Sequence, residues 1–292
     1  MSCSETFEFR RGRGVVWVCD IIGSSKHLNS DKTADAFEAF LPRLNWLART
    51  VVRAAGGTFI KWTGDGFLAW FETPLHREVT RQGRAVLNAL WHLTVFVNVT
   101  RLAVSSNAPF KINHGVTYEQ DALLTTITYP SGHRALDLIG RSVVLAFRLS
   151  SVPAPFPGVS IQQDIAMAYK ESPTPGMRFR RWCPSTTERM KYFKGERWGT
   201  RTLYISDETK KRKSSLLAMR LHAKKAIELA NGAQPDDDDR VAFAKRFAEE
   251  MMGGPEWART SMVEYSRYID EDLLGALKAV VAVMETLPGM LH

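Results

Sequence analysis

Residues 15–19, Val-Val-Trp-Val-Cys, form an unbroken apolar and largely β-branched run that stops at Asp20 and passes into Ile21-Ile22-Gly23-Ser24-Ser25. A run this short, closed by a glycine-serine turn, predicts a buried strand with a carboxylate at its C-terminal end. Phe37, Phe40, Leu41, Leu44, Leu47, Val51 and Val52 then recur at helical spacing as far as Gly56-Gly57, with Pro42 as the point where the helix kinks or restarts. Residues 58–63 and 67–71 are aromatic-rich strands joined by Gly64-Asp65-Gly66, the turn chemistry of a tight hairpin. A helix over about 76–104 and a strand over 111–118 follow. Strand, helix, hairpin, helix, strand is the split β-α-β order, so the expected class is α+β, a ferredoxin-like antiparallel sheet with helices.

Further along, Asp137-Leu138-Ile139-Gly140 precedes a helical stretch that runs to about Ser150, and 191–195 with 202–205 reads as a closing hairpin. The first domain is therefore expected to span 1–206. Residues 207–292 carry helical patterns over 210–231, through Trp257 and over 268–284, interrupted by four aspartates at 236–239, which predicts a helical C-terminal extension.

With 292 residues, 45% of them hydrophobic, the chain can bury one sizeable core. The greasiest stretch, 86–99, is broken by Asn88, His92, Thr94 and Asn98, and the first twenty residues hold Glu5, Glu8, Arg10, Arg11 and Arg13. Neither a membrane span nor a leader peptide is expected. Cys3, Cys19 and Cys183 are too few and too scattered for a disulfide framework or a metal pair, which fits a reducing cytoplasm. No two of the seven histidines are spaced to share a zinc ion. The net charge of +8 suits either nucleic acid or a polyanionic small substrate. Because the one dense basic run, Lys210-Lys211-Arg212-Lys213, reads as a solvated helix end, no nucleic-acid partner is expected.

The chemistry concentrates at Asp20 and Asp65. Each is an ordinary turn former taken alone. Together they end strands expected to be neighbours, so both carboxylates converge on one point, and hard divalent cations take such oxygen ligands. Two metals about 3.5–4 Å apart can hold the attacking and leaving oxygens of an in-line phosphoryl displacement. The amides of Ile21, Ile22, Gly23, Ser24 and Ser25, in a turn entering a helix, are candidate donors to phosphate oxygens.

These motifs resemble the class III adenylyl and guanylyl cyclases. The resemblance is carried by Cys19-Asp20-Ile21-Ile22-Gly23-Ser24, by the hairpin 57–71 around Gly64-Asp65-Gly66, by Lys111-Ile112-Asn113-His114-Gly115-Val116, and by Asp137-Leu138-Ile139-Gly140 leading to Ala146-Phe147-Arg148-Leu149. A fainter fifth motif is Tyr192-Phe193-Lys194-Gly195. It implies that Asp20 and Asp65 bind two divalent cations, Mn²⁺ or Mg²⁺, with a ligand from the Ile21 carbonyl. Arg148 then stabilises charge on the transferring phosphoryl, Lys61 and Asp137 read the nucleobase, and Lys194 grips the β and γ phosphates. The resemblance further implies a nucleoside triphosphate as substrate and a 3′,5′-cyclic nucleotide as product. It also implies that the working unit is a head-to-tail homodimer with sites at the subunit interface.

Two positions depart from the pattern. Val144 stands where the family places a ribose-orienting Asn, and a Val side chain donates no hydrogen bond. Glu196, followed by Arg197, replaces the second basic residue of the phosphate-gripping motif. Trp62, Phe67 and Trp70 put large rings on the hairpin that borders the base pocket, or else pack in the core. With these features the chain is most similar to the pyrimidine cyclases of Pycsar phage defence, which make cyclic UMP or cyclic CMP. An adenylyl cyclase and a catalytically retired nucleotide-binding module are the alternatives. His114 is expected to be structural.

Overall fold

The computed structural model describes residues 5–30, 33–104, 111–155, 157–171, 177–194 and 202–207. The expected helical extension over 207–292 lies outside them apart from Asp207. The chain divides into two compact units. The first holds 1–24, 52–91 and 111–207, and the second 25–51, 92–110 and 208–292.

In the first unit, β1 (Thr6–Ile21) pairs antiparallel with β3 (Gly66–Glu72) and with β4 (Ile112–Thr128), and β2 (Thr58–Trp62) pairs antiparallel with β3. The order β2-β3-β1-β4 is that of the split β-α-β sheet. β4 continues into a parallel pairing with β6 (Val159–Gln162), which is followed by β8 (Leu203–Ser206) and the edge strand β7 (Phe179–Trp182). β5 (Arg134–Ile139) pairs antiparallel with the far half of β4, over 123–128.

The apolar run 15–19 is buried on both faces, as a strand covered on both sides must be. One face carries Trp17, edge-on to Phe67 at 5.0 Å. The other carries Val16 and Val18, in a cluster with Ile60, Leu68, Trp70, Ala122, Leu138, Val143 and Ala146. Val143 and Ala146 belong to α4 (Arg141–Ser150), whose Leu145 and Leu149 enter a second cluster with Val152, Trp182, Phe193, Leu203 and Ile205. Each such burial stabilises by about 1.5–3 kcal/mol for the larger side chains, so α4 is held on the sheet chiefly by its apolar face.

α5 (Gln163–Glu171) and α6 (Thr186–Tyr192) complete this unit. The expected closing hairpin is half corrected. Residues 202–205 do prepare a strand, but 191 and 192 end α6, Phe193 is its C-cap, and the partners of β8 are β6 and β7. The reason is local: Ser185 and Glu188 form a reciprocal capping box that starts a helix just upstream.

In the second unit, α1 is Ser24–Leu28, and most of α2 (Ala34–Ala54) presents buried Phe37, Phe40, Leu44, Ala48 and Val51 along one stripe. Pro42 lies inside α2, which continues through it. α3 (Val79–Val104), whose residues to Trp91 belong to the first unit and the rest to the second, follows a short 3₁₀ turn at His76–Glu78, so the expected helix from 76 begins one turn later as α-helix. No helix among the described residues is long and apolar enough to cross a membrane.

Candidate active site

Asp20 is the penultimate residue of β1 and lies opposite Gly66 of β3. The two strands meet closely because Gly66 has no side chain: a Cβ there would strike the Cys19 carbonyl oxygen and sit 3.1 Å from Asp20 Cα. Gly64, at φ 98°, takes the left-handed conformation that lets the hairpin reverse. The Ile21 amide donates to the Asp65 carbonyl at 3.1 Å and the Thr63 amide to the Gly66 carbonyl at 2.9 Å, which holds the turn against the end of β1.

The Asp65 carboxyl therefore lies close enough to Asp20 for its charge to be felt there, and the Ser24 hydroxyl donates to Asp65 Oδ2. Asp20 is pushed up to about 7, first by burial, then by the neighbouring charge of Asp65. Two acids this close repel as a pair of like charges, which raises the proton affinity of the more buried one.

Of the turn's amides, two are already used. Ile21 N–H serves Asp65 and Ile22 N–H donates to the Lys111 carbonyl at 2.8 Å, so neither is a phosphate donor as expected from sequence. Gly23, at φ 71°, turns the chain, and Ser24 and Ser25 open the five-residue α1.

The other predicted residues form two further groups. Lys61 Nζ and Asp137 Oδ1 are paired at 2.7 Å, with Asp137 also accepting the Leu138 amide at 2.7 Å. Ile60 of β2 and Leu138 of β5 pack in one cluster, so the sheet curls until its β2 and β5 edges meet, and this ion pair joins them. Val144 and Arg148, one turn apart on α4, are both exposed. The Arg148 carbonyl accepts the Ser151 amide at 3.3 Å, but its guanidinium makes no hydrogen bond or ion pair among the described residues, with either aspartate or anything else. Lys194 is exposed just past the α6 cap, and Glu196 and Arg197 lie outside the described residues.

The rings on the hairpin separate. Phe67 and Trp70 are core residues, whereas Trp62 is half-buried, donates to the Gly64 carbonyl at 2.6 Å, and pairs with Phe67 in register. Cross-strand partners share a face, so Trp62 leaves the sheet opposite to Lys61, which pairs with Leu68. Tyr118 is buried, and His114 accepts the Trp17 indole N–H at Nδ1, 3.2 Å away. Its burial lowers the imidazole to about 3, so His114 is a neutral core residue.

These two groups oppose each other in pH. Asp20 titrates at about 7 folded against 3.8 ordinarily, so its stabilising proton is fully present below pH 3.8 and lost as pH rises through 7. His114, lowered from 6.5 to about 3, contributes stability above pH 6.5 that is lost as pH falls toward 3. Asp20→Asn is therefore expected to melt above wild type near pH 8 without metal, and to lose stability more steeply than wild type between pH 7 and 4. Melting curves of both proteins across that range check it; equal midpoints near pH 8 would contradict it.

Sequence reasoning missed Thr117 and Glu119, whose contacts to α4 are described below, and the Ser24–Asp65 hydrogen bond. The alternation Asn113, Gly115, Thr117, Glu119 on one face of β4 was the available signal.

No protein-family model and no curated protein matches the sequence. Solved structures match by shape. The adenylyl cyclase CyaB from P. aeruginosa superposes with a TM-score of 0.55 at 19% identity, over 70% of this chain and 98% of that one. A bacterial light-regulated adenylyl cyclase gives 0.52 at 15% identity, over 74% of this chain and 59% of that one. The fold is accordingly that of the class III nucleotidyl cyclase domain, the α+β architecture expected from the motif order.

Proposed function

We propose that this chain is a class III nucleotidyl cyclase that converts a nucleoside triphosphate into a 3′,5′-cyclic nucleotide and pyrophosphate. The observation that carries the reading is the acidic corner, where Asp20 lies opposite Gly66 and the Ile21 amide holds Asp65 at the end of the central strand, so that burial and the Asp65 charge push Asp20 up. These residues fit hard divalent cations: two neighbouring carboxylates, one of them largely buried, lose their mutual repulsion when a cation lies between them. No third His, Cys, Asp or Glu joins them among the described residues, so backbone carbonyl, with Ile21 the candidate, and triphosphate oxygens supply the remaining ligands.

Bound Mn²⁺ or Mg²⁺ supplies acidification of the ribose 3′-hydroxyl and neutralisation of the leaving pyrophosphate. The chain's residues do the rest by position. Ser24 orients Asp65, and the amides of Gly23, Ser24 and Ser25 remain as donors to phosphate. Lys61 and Asp137 read the base, and Lys194 contacts the β and γ phosphates. Arg148, solvent-facing and unpaired among the described residues, reaches the α-phosphoryl of a site whose acidic corner belongs to a second copy, which makes the homodimer the active unit. The 3′ oxygen bonds to the α-phosphorus, the bond to the bridging oxygen breaks, pyrophosphate leaves, and the 3′ proton passes to solvent.

The finer reading is a cytoplasmic pyrimidine cyclase that makes cyclic UMP or cyclic CMP as a signal in antiphage defence. It is supported by Val144, exposed where a ribose-orienting Asn is the family's choice, and by the Pycsar resemblance. An adenylyl cyclase is the second reading, favoured by the shape match to adenylyl cyclases and by the intact Lys61–Asp137 pair. Incubation with each of UTP, CTP, ATP and GTP in Mn²⁺, with products identified by mass spectrometry, decides between them. One cyclic product, absent with Asp65→Ala, is expected; silence toward all four overturns the cyclase assignment.

A further inference from the structure

Four alternate residues on one face of β4 meet α4 or the chain just past it. The Asn113 amide donates to the Val152 carbonyl at 2.8 Å. Gly115 leaves room for the Ala146 carbonyl, which a Cβ would strike. The Thr117 hydroxyl donates to the Ser142 carbonyl at 2.7 Å, and Glu119 Oε2 accepts the Ser142 amide at 2.7 Å. Glu119 Oε1 is itself fixed by the Gln120 and Asp121 amides at 3.0 and 3.3 Å. Thr117 is fully buried and Glu119 is 8% exposed.

Ser142 is thus gripped through both its N–H and its C=O. The α4 N-cap, Gly140, has no side chain to cap the helix, and a Cβ there would lie 2.5 Å from Glu119 Oε2. The borrowed carboxylate therefore does the capping, and Gly140 is what admits it.

Apolar packing holds α4 to the sheet but is non-directional, so it tolerates small rotations. Two directional bonds to one residue, one through each of its flanking peptide groups, do not. A group about 6 Å from a helix axis moves by about 1 Å for a 10° turn, and a misplacement of about 1 Å in a reacting site costs about 100-fold in rate. Arg148 lies six residues beyond Ser142 on this helix.

We propose that Thr117 and Glu119 are positioning residues, a buried polar clamp that sets the rotation of α4 and so the reach of Arg148 into the site. The proposal rests on the cyclase reading. Thr117→Val keeps the volume and removes the donor, whereas Thr117→Ser keeps the donor; Glu119→Gln keeps the shape and removes the charge.

The expected result, in the full-length protein with its preferred triphosphate and Mn²⁺, is a kcat about 10- to 100-fold lower for Thr117→Val at near-constant KM. Thr117→Ser should stay within about threefold of wild type, since the donor is kept. Addition of Asp65→Ala protein should relieve the Thr117→Val defect, because a hybrid pairs an intact clamp with an intact acidic corner, which damage to the fold at large would not allow. Should Thr117→Val not fold, Glu119→Gln is read by the same criteria. Folded variants with kcat within about twofold of wild type, or a defect that mixing leaves in place although the Asp65→Ala and Arg148→Ala proteins complement each other, overturn the clamp while the cyclase reading stands. A wild type silent toward all four triphosphates overturns both.

Discussion

Asp65→Ala and Arg148→Ala proteins are each expected to lose about 10³-fold or more in turnover, and an equimolar mixture is expected to recover about a quarter of wild-type activity. The first loss follows from removing half of a two-carboxylate cation site, the second from removing a guanidinium that balances transition-state charge. The recovery follows from symmetry. If one copy supplies the acidic corner and the other Arg148, random mixing makes half the dimers hybrids. Each hybrid has one wholly intact site and one doubly damaged site. Steady-state assays of the two proteins, alone and mixed, check this. A mixture no better than its components would mean that both groups act within one chain, and would remove the subunit-interface site from the proposal. The exposed, unpaired Arg148 among the described residues favours the two-copy arrangement.

The second large effect concerns stability. Gly115→Ala is expected to destabilise the fold by about 3 kcal/mol or more, at the upper end of overpacking costs, and to lower the melting temperature by roughly 6–12 °C. The new methyl group would overlap the Ala146 carbonyl and lie 2.7 Å from the Ser150 amide, and both obstacles are helix backbone that no rotamer change can relieve. The only escape is for α4 to lift off the sheet, opening the cluster of Val16, Val18, Leu138, Val143 and Ala146. Circular-dichroism melts check it. A midpoint within a degree or two of wild type would show that α4 shifts without cost, which close packing does not permit.

What could be read from the sequence was what is locally encoded. The run 15–19, the Gly64-Asp65-Gly66 turn and the helical stretch from Gly140 to Ser150 carry their own periodicity or turn chemistry, and each became the element it predicts, whereas residues 137–139 joined the unpredicted strand β5. The far half of β1 and of β4 did not show, because Phe7, Glu8, Phe9 and Arg10 are exposed and pair in an arm with no buried face to set an alternation. β6 and β7 are four residues each and owe their existence to neighbours, and the two arginines of β7 disguise it further. The 191–195 misassignment had a remedy in plain view, the Ser185-x-x-Glu188 capping box. At the site, the convergence of Asp20 and Asp65 followed from strand order. That the Ile21 and Ile22 amides are occupied did not, since their acceptors, Asp65 and Lys111, lie far along the chain. Glu119 was hidden for the same reason, as it caps a helix 23 residues away.

Cys19 immediately precedes Asp20, is fully enclosed beneath the acidic corner, and burial holds its thiol well above the usual range. Cys183, by contrast, is exposed. Only a thiolate reacts readily with alkylating reagents, so Cys19 is shielded twice, by access and by protonation, for as long as β1 stays seated between β3 and β4. The molecule therefore carries an intrinsic chemical reporter one residue from Asp20. Modification at that sulfur registers opening of the strand end itself, with Cys183 as the always-available internal standard.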